Sequence, residues 1–91
     1  MRINDDYVLR TVAGEALLIN EGAVGVNLNG LLSLNGAAAW LWNKAAGSGV
    51  DFDEAMLSAW LMEEYDVEEE KARGDVAGMV RTWKKYGVVI D

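Results

Sequence analysis

Leu31-Leu32-Ser33-Leu34-Asn35-Gly36-Ala37-Ala38-Ala39-Trp40-Leu41-Trp42 decides how this chain folds, because it changes period in the middle. Leu31 to Leu34 is an apolar run bounded by Gly30 and Asn35, too short for a helix and long enough for a strand. Asn35 then suits an N-cap, whose side-chain oxygen can accept from the first free N–H groups of a helix over 36–46, with Gly47 as its stop. Ala37, Ala38, Leu41 and Ala45 make one stripe of that helix, with Trp40 beside it.

Upstream the pattern is strand-like. Tyr7-Val8-Leu9-Arg10-Thr11-Val12 is β-branched and aromatic, Ala13-Gly14 supplies a turn, and Glu15-Ala16-Leu17-Leu18-Ile19 is the hairpin partner. Residues 20–30 have a loop composition rich in Asn and Gly, with Ala23-Val24-Gly25-Val26 as a candidate extended stretch. Downstream the pattern is helical. Asp51 with Glu54 makes a capping box for a second helix ending near residue 64, its apolar face formed by Phe52, Met56, Ala59 and Trp60 and widened by Leu57 and Leu61. Asp66 with Glu69 repeats the box for a third helix over 67–86. Glu68, Glu69 and Glu70 at its start and Lys84 and Lys85 at its end suit the helix dipole. Ala72, Val76, Met79, Val80 and Trp83 form its core stripe, Gly87 is its C′ residue, and Val88-Val89-Ile90 is an apolar tail folding back onto the body. The expected fold class is α+β: a three-stranded antiparallel sheet followed by a three-helix bundle, similar in order to a winged helix-turn-helix. With 91 residues, the chain is expected to be a single domain over 1–91.

Composition removes most chemistry. The chain has no cysteine and no histidine, which excludes disulfides, thiolate nucleophiles, imidazole bases and Cys/His zinc sites. Its carboxylates sit mostly at helix starts, where capping accounts for them, and the acidic runs have no glycine turn of the kind a calcium loop needs. Gly22, Gly25 and Gly30 match neither phosphate-loop nor dinucleotide spacing. No enzyme, metal or cofactor is therefore expected. A net charge of −7 argues against nucleic acid and against an anionic lipid surface. The most apolar stretch, 28–42, is interrupted by Asn29, Ser33 and Asn35 and is shorter than the ~20 residues of a spanning helix. A cytoplasmic location is the expectation.

Two features point to a binding role. In a three-stranded sheet at least two strands are edges, and Leu31–Leu34 has neither charge nor proline to discourage a further strand. An extended peptide could add there, its selection left to an adjoining groove; the alternative is that another segment, Ala23–Val26 or a second copy of the chain, already covers that edge. The second feature is Gly74 with Gly78, each costing about 1 kcal/mol relative to Ala inside a helix and together baring one line of backbone. Beside that line Asp75, Met79, Thr82 and Tyr86 form a half-apolar margin suited to peptide side chains. Trp60 and Trp83 read as core. Trp40 and Trp42, two apart, point to different sides of their helix, so that one is partly exposed.

Several motifs lie in register with one family. Gly30-Leu31-Leu32-Ser33-Leu34-Asn35, Ala39-Trp40-Leu41-Trp42 and Gly47 resemble the signature of the PqqD-like family, named for pyrroloquinoline quinone synthesis protein D. The likeness continues through Phe52-x-Glu54, Glu64-Tyr65-Asp66-Val67, Asp75-Val76 and Lys85-Tyr86-Gly87-Val88, and upstream through Tyr7-Val8-Leu9-Arg10 and Ala13-Gly14-Glu15. The resemblance implies a precursor-peptide recognition element that binds the leader of a ribosomally made peptide and presents it to a modifying enzyme, such as a radical SAM enzyme or a lasso leader peptidase. It also implies that the leader pairs with the third strand, here Leu31, Leu32, Ser33 and Leu34, and rests against the third helix. On that helix Asp75 matches the family motif and Met79 replaces a larger apolar residue, whereas Thr82 and Tyr86 follow from geometry alone. Gly36, where the family often has Glu, and the Gly74/Gly78 pair are departures. The rival readings are a winged-helix DNA binder, disfavoured by Glu68, Glu69 and Glu70, and a homodimer formed through the Leu31–Leu34 edge.

Overall fold

The computed structural model describes residues 1–22 and 31–91, so the candidate extended stretch Ala23-Val24-Gly25-Val26 lies outside the described residues. Strands β1 (Arg2–Ile3), β2 (Tyr7–Val12), β3 (Glu15–Asn20) and β4 (Leu31–Leu34) come first. Helices α1 (Gly36–Ser48), α2 (Glu54–Glu64) and α3 (Glu69–Lys85) follow, and strand β5 (Val89–Ile90) ends the chain. The α+β class and the antiparallel order β2-β3-β4 are as expected. Ala13 at φ 53 and Gly14 at φ 82 form a two-residue turn with both central residues left-handed, which matches the twist of the flanking strands. On the other side of β3, β4 pairs in the register Ala16↔Leu34, Leu17↔Ser33, Leu18↔Leu32 and Ile19↔Leu31. Leu18, in the middle strand, is fully buried. Along β4 the period is two: Leu32 and Leu34 are half-buried against the core, while Leu31 and Ser33 face outward.

Asn35 caps α1 as expected, its Oδ1 accepting from the Ala38 N–H at 2.8 Å. The helix passes through Gly47 and ends at Gly49, which holds φ 68. Its buried residues are Leu41, Trp42 and Ala45, so of the neighbouring tryptophans Trp42 is buried and Trp40 half-exposed. The α2 cap is Asp53 and not Asp51: Asp53 Oδ1 accepts from Met56 N–H at 2.8 Å. The shift follows from Phe52, buried and held in extended chain by its N–H donating to the Met1 carbonyl, which makes Asp53 the last residue before the helix. The buried side of α2 is Leu57, Ser58 and Leu61, whereas Ala59 is exposed. Trp60 is half-buried over Phe52, with ring centroids 6.4 Å apart. The expected Asp66 box does not form either. Val67 N–H donates to the Tyr65 carbonyl, which turns the chain, and α3 starts after Glu68 with no side-chain cap.

The stripe Ala72, Val76, Val80 and Trp83 is buried as read, with Met79 at its margin. Gly87, at φ 74, ends α3 with the paired bonds of a Schellman motif: Val88 N–H to Trp83 O at 2.8 Å and Gly87 N–H to Lys84 O at 3.2 Å. The tail then does more than fold back, because Val89–Ile90 pairs with Arg2–Ile3 in a second, two-stranded sheet. Asn4 Nδ2 donates to the Gly87 carbonyl at 3.0 Å, and the buried Tyr7 hydroxyl donates to the Tyr86 carbonyl. The end of α3 is thereby tied to the hairpin sheet. Among the described residues no helix is long and apolar enough to cross a membrane.

Candidate functional site

Among the described residues β4 has a strand neighbour on one side, β3, and none on the other. In a ladder the main-chain groups of alternate residues point to opposite edges, so two of the four β4 residues direct N–H and C=O away from β3. That edge borders a groove of about 740 Å³ between the β4–α1 corner and the side of α3. Leu32, Ser33 and Leu34 form one wall, and Gly74, Asp75, Gly78, Met79 and Thr82 the other. The buried Leu41, Val76 and Trp83 floor it, and Leu61, Tyr65 and Val67 also line it. The size suits several side chains of an extended ligand, within the range of ~300–1,000 Å³ usual for binding clefts.

The eight residues singled out from the sequence do not all meet. Leu32, Ser33, Leu34, Asp75, Met79 and Thr82 line the groove. Leu31 is 46% exposed on the outer face of β4 and lies outside it. Tyr86 also lies outside: it is the residue after α3, half-buried, with its carbonyl taken by Tyr7 and the Lys85 ammonium 5.8 Å from its ring centre. Thr82 is tied back onto its own helix, Oγ1 donating to the Gly78 carbonyl at 3.2 Å. Lys71 lines the groove and was not singled out; its Nζ donates to Asp75 Oδ2 at 2.9 Å. The spacing of four between Lys71 and Asp75 on α3 is the signal that could have found it. Both partners are more than half exposed, so the pair is cheap to open and offers the groove one cation and one anion. Tyr65, one of the motif residues, also has a spatial role. It walls the groove and meets Trp40 edge-on at 6.1 Å, and the Lys44 ammonium lies 6.0 Å from the Trp40 ring. Among the described residues no group of three or more carboxylates is placed to hold a metal ion.

Fold and groove together make a small α+β fold in which, among the described residues, a sheet edge without a second strand partner lies beside a largely apolar cleft. The sequence from residue 15 to residue 89 matches the family described as Coenzyme PQQ synthesis protein D (PqqD), and the chain belongs to that family. No curated protein matches it. Two solved structures share its fold. One, TbiB1 in complex with the TbiA(beta) leader peptide, superposes with a TM-score of 0.71 over 100% of both chains at 16% identity. The other, lasso peptide synthetase B1 complexed with the leader peptide, has a TM-score of 0.69, covering 99% of this chain and 96% of that one at 21% identity.

Proposed function

We propose that this protein binds the leader segment of a ribosomally synthesised precursor peptide and presents it to a modifying enzyme, without chemistry of its own. The leader adds as a strand to the outer edge of β4 and lays its side chains into the groove against α3. The strand Leu31, Leu32, Ser33 and Leu34 supplies affinity through the main-chain groups of the two alternate residues that face away from β3, while Asp75, Met79 and Thr82 supply selection; Tyr86 lies outside the groove. The enzyme served is of the radical SAM or lasso leader peptidase kind. The observation that carries this reading is that β4 lines the cleft and, among the described residues, has no strand partner on its second edge. Membership of the PqqD family supports it, as do two structures of like fold that hold leader peptides.

Calorimetric titration with synthetic leader peptides tests it, using Leu32→Pro and Ser33→Pro as probes of the edge. Because N–H directions alternate along β4, one proline removes a donor facing the guest and the other removes a donor facing β3. Saturable binding by the parent protein is expected, along with one proline variant that stays folded and loses it. Unchanged binding in both variants would place the peptide elsewhere.

A further inference from the structure

Where α1 meets α2 outside the groove, the surface carries an aromatic row that the core does not use up. Trp40 on α1 and Trp60 on α2 are each only half-buried, and Tyr65, just after α2, is 37% exposed. Trp40 meets Tyr65 edge-on, and the Lys44 ammonium lies 6.0 Å from the Trp40 ring centre and 5.8 Å from that of Trp60. One lysine thus rests beside two indoles, at the outer limit of a cation–π contact. Residues 51–70 carry nine carboxylates and no lysine or arginine, more negative charge than the net −7 of the whole chain. Of these, Glu63 and Glu64 stand exposed one turn beyond Trp60 on α2. None of the ion pairs among the described residues involves Lys44, Glu63 or Glu64.

That combination fixes the chemistry of what can cover the face. Indole rings present negative faces to a cation, and the flanking carboxylates draw cations in. An arginine satisfies both at once, because its planar guanidinium stacks on aromatic rings while its N–H fork binds a carboxylate. Lysine, a strongly hydrated point charge, does this less well, so Lys44 acts as a placeholder in a space that accepts a cation. A second copy of the chain does not fit, since it would bring its own carboxylates against those of the first, and nucleic acid or anionic lipid is repelled likewise. Tyr65 also lines the groove, so the face runs on from the peptide site. We propose that the α1–α2 flank, built on Trp40, Trp60 and Tyr65, docks an arginine-bearing segment of the enzyme that receives the peptide, with Lys44 moving aside as the arginine enters. The inference rests on the peptide-binding reading above for the identity of that partner, and adds where and by what chemistry it is held.

The test titrates the full chain with acetylated, amidated tetra-arginine, tetralysine and tetracitrulline at physiological ionic strength, where long-range attraction is screened. The indole N–H signals of isotope-labelled protein report the site. Tetra-arginine is expected to shift those of Trp40 and Trp60 saturably, to leave that of the buried Trp83 in place, and to bind several-fold more tightly than tetralysine. Tetracitrulline, flat but uncharged, should not bind. Trp40→Leu and Trp60→Leu should each weaken tetra-arginine binding several-fold. Lys44→Gln should strengthen it by roughly twofold or more, because the placeholder charge is gone, and by more than Lys84→Gln, which changes the net charge equally at the end of α3. A leader peptide titrated in parallel should bind all these proteins alike, since none of the altered residues lines the groove. Equal affinity for the arginine and lysine probes, or a Lys44→Gln variant that gains no more than Lys84→Gln, overturns the docking claim and leaves peptide binding standing. Both lysines are exposed, so this comparison decides the matter even where a tryptophan variant fails to fold. A parent protein that binds no leader peptide overturns the peptide-binding reading and the partner's identity together, whatever tetra-arginine does.

Discussion

Replacing Tyr7 by Phe removes one hydroxyl from the contact that fastens the sheet to the end of α3. The ring stays: Tyr7 is 3% exposed in the core, and Phe keeps that packing. What is lost is the bond to the Tyr86 carbonyl, together with the one between the phenol and the Asn20 side chain. A partly buried acceptor left unmatched costs about 1–2 kcal/mol, which in a chain of this size lowers Tm by roughly 4–8 °C for each kcal/mol. Thermal and urea unfolding followed by tryptophan fluorescence at pH 7 should therefore show Tyr7→Phe less stable by about 1.5 kcal/mol. The difference should also depend on pH. Burial raises the Tyr7 phenol above its ordinary 10.0, and a hydrogen bond with the Asn20 side chain offsets part of that rise. The folded state thus holds its proton more tightly than the unfolded chain does. Above pH ~10 the unfolded chain releases it first, and stability conferred by the neutral phenol falls as pH climbs toward the raised folded value. Phe has no such proton, so the gap between the two proteins should narrow between pH 9 and 11. Equal stability at pH 7, or a gap that stays constant to pH 11, would refute the reasoning.

Other outcomes follow from particular residues. Asp53→Ala should destabilise by about 1 kcal/mol, as the loss of an N-cap does, whereas Asp51→Ala should stay within about 0.5 kcal/mol of the parent in the same urea titration. Gly87→Ala, which forces a side chain into left-handed backbone at φ 74, should cost about 1 kcal/mol, read as a lower urea midpoint at unchanged slope. Asp75→Ala breaks an exposed pair with Lys71, so stability should move by less than about 0.5 kcal/mol while affinity for a bound leader, measured by calorimetry, falls several-fold.

Elements with a local signature could be read from the sequence. The hairpin announces itself through Ala13-Gly14, β4 through its length, α1 through Asn35, and the end of α3 through Gly87. The α2 start is displaced because Asp51 and Asp53 compete for the cap and a long-range contact decides between them, whereas the α3 start, which has no side-chain cap, is displaced by a local turn. Phe52 is held to Met1, fixing Asp53, while the Val67-to-Tyr65 turn moves α3 past Asp66. The sheet of β1 and β5 could not be read at all: two-residue strands have no period, and Arg2↔Ile90 joins the ends of the chain. The site divides in the same way. The open edge follows from strand count, and the α3 margin from helical spacing. Lys71, Tyr65 and Leu61 join the groove only through the packing of α2 and α3 against the sheet corner.

Binding by strand addition requires that main-chain groups of β4 stand unpaired in the free protein and become paired when a guest arrives. Residue-resolved amide hydrogen exchange over 31–34, with and without a bound leader peptide, measures this directly. Alternate amides in that strand should exchange quickly in the free protein and become protected in the complex, while their neighbours, bonded to β3, stay slow throughout. Four amides already protected in the free monomer, or a bound peptide that leaves the fast ones unchanged, would contradict it.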